Sequence, residues 1–287
     1  MEFYLTALML GLCLSPMALG IFITMKVFRI PDITTDGSFT SGAVITAILL
    51  THHWSPVSII PLAILAGSIA GTLTGLIHTY LKIDALLSGI LVMTGLYSIN
   101  LSLLGRSNVP LPDASNIFSL FPVFSTPVFN QLIPGLLFIL LILIILGYVL
   151  RTDFGIAMRA TGSSESMTRA LGVNTIKMKI TGLAIANSLT ALSGYLVCQY
   201  QSFTDINMGI GIVITGLGSV LIGEALLKWW NIRSIGGQLA TVIFGSLLFQ
   251  GVLAFTLSIG VDPNLLKLVT ASFVLLIVVI PRLKRNP

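Results

Sequence analysis

Charged residues are so widely spaced in this 287-residue chain that most of it lies in long uncharged runs. No Asp, Glu, Lys or Arg occurs between positions 2 and 26, and none occurs from 37 to 81. An α-helix of about 20 apolar residues crosses a bilayer, and it satisfies its own backbone hydrogen bonds in lipid. The runs therefore predict an all-α fold, a polytopic bundle of helices that spans a membrane.

The composition excludes several classes of soluble protein. Only 9% of the residues are charged and 55% are hydrophobic, whereas soluble domains carry roughly 25% charged residues. The net charge of +5 would indicate nucleic acid only with a clustered basic face on a soluble surface. Cys13 and Cys198 are isolated, so they give neither a zinc-site spacing nor a disulfide framework. We expect neither a soluble enzyme nor a disordered tail, and no nucleic-acid partner.

Charges and turn residues divide the chain into nine predicted spans, with an error of one in either direction. The first span precedes Lys26, and the second is short and begins with the polar run at 34–38. We expect the whole chain, 1–287, to form one transmembrane domain in the lipid bilayer. The spans after the first are predicted at about 38–51, 57–80, 84–104, 130–150, 180–202, 206–227, 235–257 and 263–281.

The basic residues predict the orientation of the chain. With the N-terminus outside, nine crossings place the C-terminus inside, and 13 of the 15 Lys and Arg residues then lie on inner segments. Only Arg106 and Lys267 lie on outer segments. This asymmetry is the one that the positive-inside rule describes. The inner set comprises Lys26, Arg29, Lys82, Arg151, Arg159, Arg169, Lys177, Lys179, Lys228, Arg233, Arg282, Lys284 and Arg285.

Small residues recur on single faces of several predicted spans. Three in the third span and three in the sixth are four residues apart, which lets other backbones approach closely. Five glycines in the seventh span indicate either tight packing or a broken helix that lines a pathway. These residues are Gly67, Gly71 and Gly75; Ala186, Thr190 and Gly194; and Gly209, Gly211, Gly216, Gly218 and Gly223.

The second and seventh predicted spans open alike, each with a polar, glycine-bearing segment after an acidic residue, Asp36 or Asp205. In the predicted topology the two segments enter from opposite sides. Spans one to four and six to nine are therefore predicted to be inverted repeats, a plan common in transporters. Their polar openings should meet near the bundle axis. The resulting candidates for a solute pathway are Asp36, Ser38, Asn100, Asn207 and Gly209.

No set of residues points to catalysis, a metal site or a bound cofactor. His52 and His53 are adjacent rather than one helical turn apart, and neither H-E-x-x-H nor G-x-S-x-G occurs in the sequence. No G-x-x-x-x-G-K-S/T phosphate loop occurs either, so we do not expect this chain to hydrolyse ATP itself. A membrane-embedded enzyme would need a polar catalytic cluster, and it is the weakest of the alternatives.

A self-contained, ion-coupled secondary transporter is the main alternative to a subunit of a larger system. Such carriers usually place ionisable groups at the substrate site, and we expect no acidic residue in the middle of a span. Glu224 is predicted near an inner end, where it can pair with Lys228. The alternative stays open at this point, because backbone carbonyls can hold Na⁺.

The inner segment 151–179 is the most informative part of the sequence, since it holds five of the 15 basic residues. Ser163 or Ser164 can cap a helix, Glu165 suits its first turn and Arg169 suits its last. Gly172 supplies the left-handed residue that stops the helix. We predict a helix of about two turns at the inner surface, which would be a docking element for a soluble partner.

Three segments, taken in order, resemble one family. Residues 159–174 read Arg-Ala-Thr-Gly-Ser-x-Glu-x4-Ala-Leu-Gly-Val-Asn, which is similar to the cytosolic coupling loop of permease subunits of bacterial ABC importers. The resemblance is to the branched-chain amino acid and ribose type. Residues 33–43 and 87–101 are similar to the same family, nearest to its tryptophan and tyrosine subgroup. The older importer signature with a Pro near its end is not reproduced.

The resemblance implies a subunit of an ATP-driven importer in the bacterial inner membrane. The solute would be an aromatic or branched-chain amino acid or a related compound. The implied partners are an ATP-binding cassette ATPase, an extracytoplasmic solute-binding protein and a second permease copy, in a homodimer or with a similar permease. Residues 151–179 would form the coupling loop, which converts ATPase closure into movement of the spans. The coupling positions carried over are Arg159, Ala160, Gly162, Glu165, Ala170, Leu171 and Gly172.

Overall fold

The computed structural model describes residues 2–111, 116–119, 127–232, 234–262 and 265–283, and most of them are helical. A π-helix, Ile23–Phe28, continues the first α-helix, and a 3₁₀ turn covers Ile117–Ser119. Two short strands, β1 (Asn108–Pro110) and β2 (Phe203–Asp205), pair antiparallel. The predicted all-α helix bundle is confirmed. The helices in the described part are α1 Glu2–Phe22, α2 Thr34–Thr51, α3 Pro56–Tyr80, α4 Ala85–Leu104, α5 Pro127–Val149, α6 Asp153–Ser163, α7 Glu165–Ala170, α8 Thr175–Gln201, α9 Ile212–Trp229, α10 Ile235–Ser258 and α11 Leu266–Leu283.

Seven described helical segments are long and apolar enough to cross a membrane. The described apolar part of α11, Leu266–Ile277, is shorter, and the 18-residue α2 is not among the seven. The predicted total of nine spans therefore depends on α2 and α11. The seven segments are Phe3–Phe28, Pro56–Tyr80, Ala85–Leu104, Asn130–Val149, Thr175–Gln201, Ile212–Trp229 and Ile235–Ser258.

Three predicted span starts differ from the helix starts by four residues or more. Helix α8 begins at Thr175 rather than at about 180. Helix α2 begins at Thr34 rather than at 38, because the carboxylate of Asp32 accepts the Thr34 N–H (2.9 Å) and so fixes the first turn. Helix α9 begins at Ile212 rather than at 206. Residues 206–211 form turns instead, and Gly211, with φ of +82°, ends them in a left-handed conformation that favours glycine.

Contacts between the helices fix their directions. Tyr4, at the start of α1, donates a hydrogen bond to Ser258, at the end of α10 (3.2 Å). Tyr200, at the end of α8, donates to the carbonyl of Thr6 (3.3 Å). Both helices thus run antiparallel to α1. The β1–β2 pairing also brings the ends of α4 and α8 together. We call this side of the bundle the strand face, and the opposite side, with residues 151–179, the loop face.

Basic residues are segregated between the two faces as the sequence predicted. Arg106 adjoins β1, and Lys267 follows Leu266, which lines a cavity with Phe3 at the strand face. Lys26 lies at the other end of α1, where its Nζ is 2.5 Å from Glu224. The predicted pair of Glu224 with Lys228 is also present, at 3.5 Å. Of the basic residues assigned to the inner side, Arg233, Lys284 and Arg285 lie outside the described residues.

Helix α8 lies at the centre of the bundle, and its contacts confirm the packing role predicted for the small residues. A Cβ added to Gly67 or Gly71 of α3 would collide with the backbone of Asn187 or Leu183. Gly194 of α8 gives the same close approach to the backbone of Phe39 in α2. These contacts let α2 and α3 pack backbone to backbone on α8.

The glycines of the seventh predicted span divide into two groups. Gly216, Gly218 and Gly223 lie inside α9, where they pack against α1 and α10. Gly209 and Gly211 precede α9, in the turns between β2 and the helix. Tight packing and a broken helix start are therefore both present, in different halves of the segment.

Candidate coupling and transport sites

Residues 151–179 contain two helices, α6 and α7, and not the single two-turn helix that the sequence predicted. The side chain of Thr152 caps α6 by accepting the Gly155 N–H. Ser164 joins the two helices in an extended conformation, with φ of −153° and ψ of 100°. Ser164 is the N-cap residue of α7, one of the two predicted positions, but its hydroxyl makes no capping hydrogen bond, and Ser163 belongs to α6 instead.

Glu165 ties α7 to the start of α8. Its carboxylate lies 2.8 Å from Arg169 and 2.6 Å from Lys179, and it accepts the Thr175 hydroxyl at 3.2 Å. The hydrogen bond from Lys179 is the main cause that lowers the pKa of Glu165, and Thr175 and Arg169 lower it further. Glu165 thus orients the short helix, because three donors from two elements converge on its carboxylate.

Gly172 ends α7 as predicted, with φ of +84°. Its N–H donates to the carbonyl of Arg169 (3.0 Å). The helix that it ends presents apolar side chains to solvent, since Met167 is 66% exposed and Leu171 is 73% exposed. Ala170 is also exposed. An exposed apolar patch of this kind marks an interaction surface.

Arg159, Ala160 and Gly162 lie on α6 and not on the short helix. At Gly162 there is no room for a Cβ, because the carbonyl of Val27 in the π-helix occupies that position. The ring of Phe28 packs in the same way on Gly182 of α8. The loop is thereby packed directly onto the end of α1. No pattern of residues in the sequence indicates this contact, because a π-helix has no distinct hydrophobic periodicity.

A cavity of about 340 Å³ opens beside this contact at the loop face. Arg159 and Gly162 line it, together with the ion pair of Lys26 and Glu224. Side chains of α1, α6 and α9 therefore meet in one place. A displacement of α6 changes the environment of residues that belong to two membrane helices.

Asp36 lies in the first turn of α2 and is 9% exposed. Its carboxylate accepts the N–H groups of Gly211 (2.8 Å) and Val213 (3.1 Å) at the start of α9. Negative charge is stabilised at a helix N-terminus by the orphan N–H groups and the helix dipole. Gly209 lies against the Asp36 carbonyl with no room for a Cβ. Asp36 thus caps the interrupted helix from a neighbouring element.

Ser38 points away from this cluster, towards α8. Its hydroxyl donates to the side-chain oxygen of Asn187 (2.6 Å), and the Asn187 amide donates to Asp32 (2.7 Å). Asn187 lies near the middle of α8 and is fully buried, and Asp32 is 5% exposed. Asp32 and Asp36 are therefore acidic residues buried inside the bundle, although Asp32 precedes α2 and Asp36 lies in its first turn, so neither occupies the middle of that span. Both carboxylates accept N–H donors, so they fix helices in place.

Asn100 and Asp36 line a second cavity, of about 250 Å³, between α2, α4 and the turns at 206–211. The Asn100 amide is 3.4 Å from the carbonyl of Gly37, and Tyr97 also lines the cavity. Asn207 is exposed and does not line it. The structure therefore brings together Asp36, Asn100 and Gly209 of the predicted pathway residues. Ser38 and Asn207 are left elsewhere.

Neither cavity has the donor set of a metal site. Within the described ranges no three His, Cys, Asp or Glu side chains are placed to hold a metal ion. The arrangement is instead one of helix contacts: an exposed apolar patch on α7, a close contact between α6 and the π-helix, and a mainly apolar cavity with a few polar groups. Such parts suit the movement of helices better than chemistry on a substrate.

Comparison with known proteins shows to which family this chain belongs. Residues 3–280 match the sequence model of a family described as the permease component of the branched-chain amino acid transport system. The chain belongs to this family. It is 41% identical over 261 residues to the tyrosine transport system permease protein of Clostridioides difficile, which covers 91% of this chain and 85% of that protein.

Two further proteins are similar to this permease in sequence. An uncharacterised protein of Rickettsia prowazekii is 31% identical over 94% of both chains. The ribose import permease protein of Haemophilus influenzae is 24% identical over 66% of this chain and 58% of that protein. No solved structure matches the permease.

The permease is therefore a multi-pass membrane subunit of a bacterial importer for a small solute, and a transport component rather than an enzyme. Family membership decides against the self-contained secondary transporter, because a permease component works within a larger transport system. The resemblance that the sequence motifs carried is confirmed.

Proposed function

We propose that this permease forms the membrane channel of an ATP-driven importer for an aromatic amino acid, with tyrosine as the first candidate. The relative with 41% identity is named for tyrosine transport. ATP hydrolysis would take place on a separate ATP-binding cassette subunit. A solute-binding protein would deliver the amino acid at the strand face, and a second copy of the permease would complete a homodimer.

The observation that carries the coupling role is the packing of Gly162 on the Val27 carbonyl. An ATPase that binds the exposed patch of Met167 and Leu171 would push on α7 and, through Ser164, on α6. Because α6 has no space between itself and the π-helix, its movement must reach α1. Residues 151–179 thus act as a cytosolic coupling loop within a single transmembrane domain, 1–287.

The seven coupling positions have different tasks in this proposal. Ala170 and Leu171 contact the ATPase, Glu165 and Gly172 fix the shape of α7, and Arg159, Ala160 and Gly162 transmit its movement. This division follows from exposure and contacts: the first group faces solvent, the second holds the backbone, and the third lies on the helix packed against α1.

The solute pathway is proposed at the cavity of Asp36 and Asn100. A broken helix start such as 206–211 exposes backbone groups that can contact a polar solute. Asp36 holds these turns in place, and Asn100, Thr94 and Tyr97 supply neutral polar groups along the cavity. Ser38 and Asn207 remain weaker candidates, because neither lines the cavity.

The proposed topology has nine spans, with the N-terminus outside and the loop face in the cytosol. The segregation of basic residues to the loop face supports this orientation. Alternating helix directions are compatible with inverted repeats of α1–α4 and α8–α11. Superposition of the two groups about a pseudo-two-fold axis is the test of that relation.

The direct test is transport by the permease in proteoliposomes with its ATPase and binding protein. We expect uptake of labelled tyrosine to require ATP, and unlabelled tyrosine to compete better than leucine or ribose. Uptake driven by an ion gradient without the ATPase would contradict the ATP-driven mechanism. Better competition by leucine or ribose would leave the mechanism intact and overturn only the proposed solute.

Docking can be tested separately by co-purification. Leu171→Asp places a charge in the exposed patch and should release the ATPase. Leu81→Asp is the matched control, because Leu81 is 66% exposed but lies outside residues 151–179. Equal retention of the ATPase by both variants would contradict docking at α7.

A further inference from the structure

A third cavity, of about 480 Å³, lies near the strand face between α1, α8, α9 and α10. It is separate from the proposed pathway, with which it shares no lining residue. Its volume is within the range of about 300–1,000 Å³ of pockets that bind small molecules. Most of its lining is apolar, and Phe39 and Met208 contribute large side chains.

Gln250 is the unusual residue in this cavity. It is 7% exposed, and it makes no hydrogen bond with the described residues. Its amide opens onto the cavity, since among the described residues the sealed side-chain atom without a partner is Nε2 of Gln199 and not an atom of Gln250. The hydroxyl of Thr215, which also lines the cavity, makes no side-chain hydrogen bond with the described residues either. Two polar groups of the wall are thus available to a ligand.

The charge of the lining limits which ligand fits. None of the residues that line this cavity is charged. A zwitterionic amino acid would lose the hydration of two ions there and gain no ionic partner, which is strongly unfavourable. A neutral molecule with an aromatic or aliphatic body and one hydrogen-bonding group would instead pair with the amide and bury its apolar surface.

We propose that this cavity is a binding site for a neutral amphipathic small molecule, held by Gln250 and Thr215 and distinct from the route of the transported amino acid. The ligand enters from the strand face, where Thr6 and Gln201 lie on the lining. Because α1 and α9 both contribute to the wall, an occupied cavity restrains the relative movement of two helices that also line, with the coupling loop, the cavity at the loop face.

Indole and tryptophan make a matched pair of probes, since they share a ring system and differ by the zwitterionic group. Binding is measured by equilibrium dialysis on the full-length permease in nanodiscs, with empty nanodiscs as the blank. We expect saturable binding of indole and no displacement by tryptophan. Absence of saturable binding, or displacement of indole by tryptophan at similar concentration, would overturn the proposal.

Gln250→Met tests the amide, because it keeps the length of the side chain and removes its hydrogen-bonding groups. We expect about fivefold weaker indole binding, the loss that one neutral hydrogen bond predicts, together with an unchanged or higher Tm. Gln238→Met, on the same helix α10, is the control and should bind as the parent protein does. Ala254→Phe should block the cavity if Gln250→Met is poorly produced. Equal Kd in all variants, or a lower Tm for Gln250→Met, would show that Gln250 is an ordinary packing residue.

Discussion

Replacement of Gly162 by alanine is the sharpest test of the route from the loop to the membrane helices. The new Cβ would occupy the position of the Val27 carbonyl oxygen, whereas ordinary van der Waals contact begins at 3.4 Å. The obstacle is backbone and cannot rotate away. Helix α6 must therefore separate from the π-helix by on the order of 1 Å.

The energetic cost of this separation is modest but localised. Overpacking of a close contact costs about 1–3 kcal/mol, and the change from glycine to alanine in a helix returns at most about 1 kcal/mol. A net loss of about 1 kcal/mol corresponds to roughly a fivefold shift in the equilibrium between packed and separated α6. The permease should therefore still fold, but transmit loop movements less well.

The readout is the number of solute molecules transported for each ATP hydrolysed in proteoliposomes that contain the complete importer. We expect this ratio to fall several-fold in Gly162→Ala while ATP hydrolysis continues. Gly95→Ala is the matched control, because a Cβ at Gly95 of α4 meets nothing within 4 Å. An unchanged ratio in Gly162→Ala would refute the argument that α6 acts through its contact with α1.

Three further predictions concern residues that fix backbone geometry. Asp36→Asn weakens the charge-assisted cap of α9, so we expect a loss of about 1.5–3 kcal/mol as a lower Tm with reduced uptake. Asp205→Asn is the control and should change both less, because Asp205, at the end of β2, is only half-buried and its carboxylate accepts a single backbone N–H, that of Asn207. Because the folded state lowers the pKa of Glu165, its stabilisation of α7 is complete above the ordinary value of 4.5 and is lost as the pH falls through the lowered pKa. Hydrogen exchange of α7 should follow that loss, and Glu165→Gln should abolish the pH step. Gly172→Val forces a β-branched residue into the left-handed region, at about 1–2 kcal/mol or more, so transport should fall at an unchanged membrane level; full transport would mean that the loop is only a connector.

Apolar runs and charge positions were enough to predict the helix bundle and its segregated ends. Apolar runs and charge positions indicate which segments lie in lipid. This property depends on the local composition of each segment, so it can be predicted from the sequence. Gly172 was also predictable, since a glycine after a short capped helix marks a left-handed stop.

Contacts between distant segments were not predictable in the same way. Asp36 was chosen as a pathway residue, yet its carboxylate is occupied by backbone N–H groups 175 and 177 residues further along the chain. Ser38 was chosen with it, but α2 turns this side chain towards Asn187 instead. Helical spacing shows which residues share a face, but the neighbour of that face is set by tertiary packing.

The π-helix was invisible for another reason. One extra residue in a helical turn leaves the apolar pattern of residues 23–28 almost unchanged, and the glycines against which Val27 and Phe28 pack, at 162 and 182, are far away in the sequence. The start of α9 was not predictable either. The five glycines of that segment indicated both tight packing and a broken helix, but their spacing did not show which glycines would have which role.

The pairing of β1 with β2 has a practical consequence for topology mapping. It joins Asn108 and Asp205, which are 97 residues apart in the chain, so both must lie in the same aqueous compartment. Once the compartment of β1 is known, the orientation of the entire bundle in the membrane is known as well. One reporter residue beside β1 is therefore enough to determine it. Cys13 and Cys198 are 1% and 0% exposed, so an impermeant thiol reagent applied to Ser107→Cys would report that compartment without removal of either native cysteine.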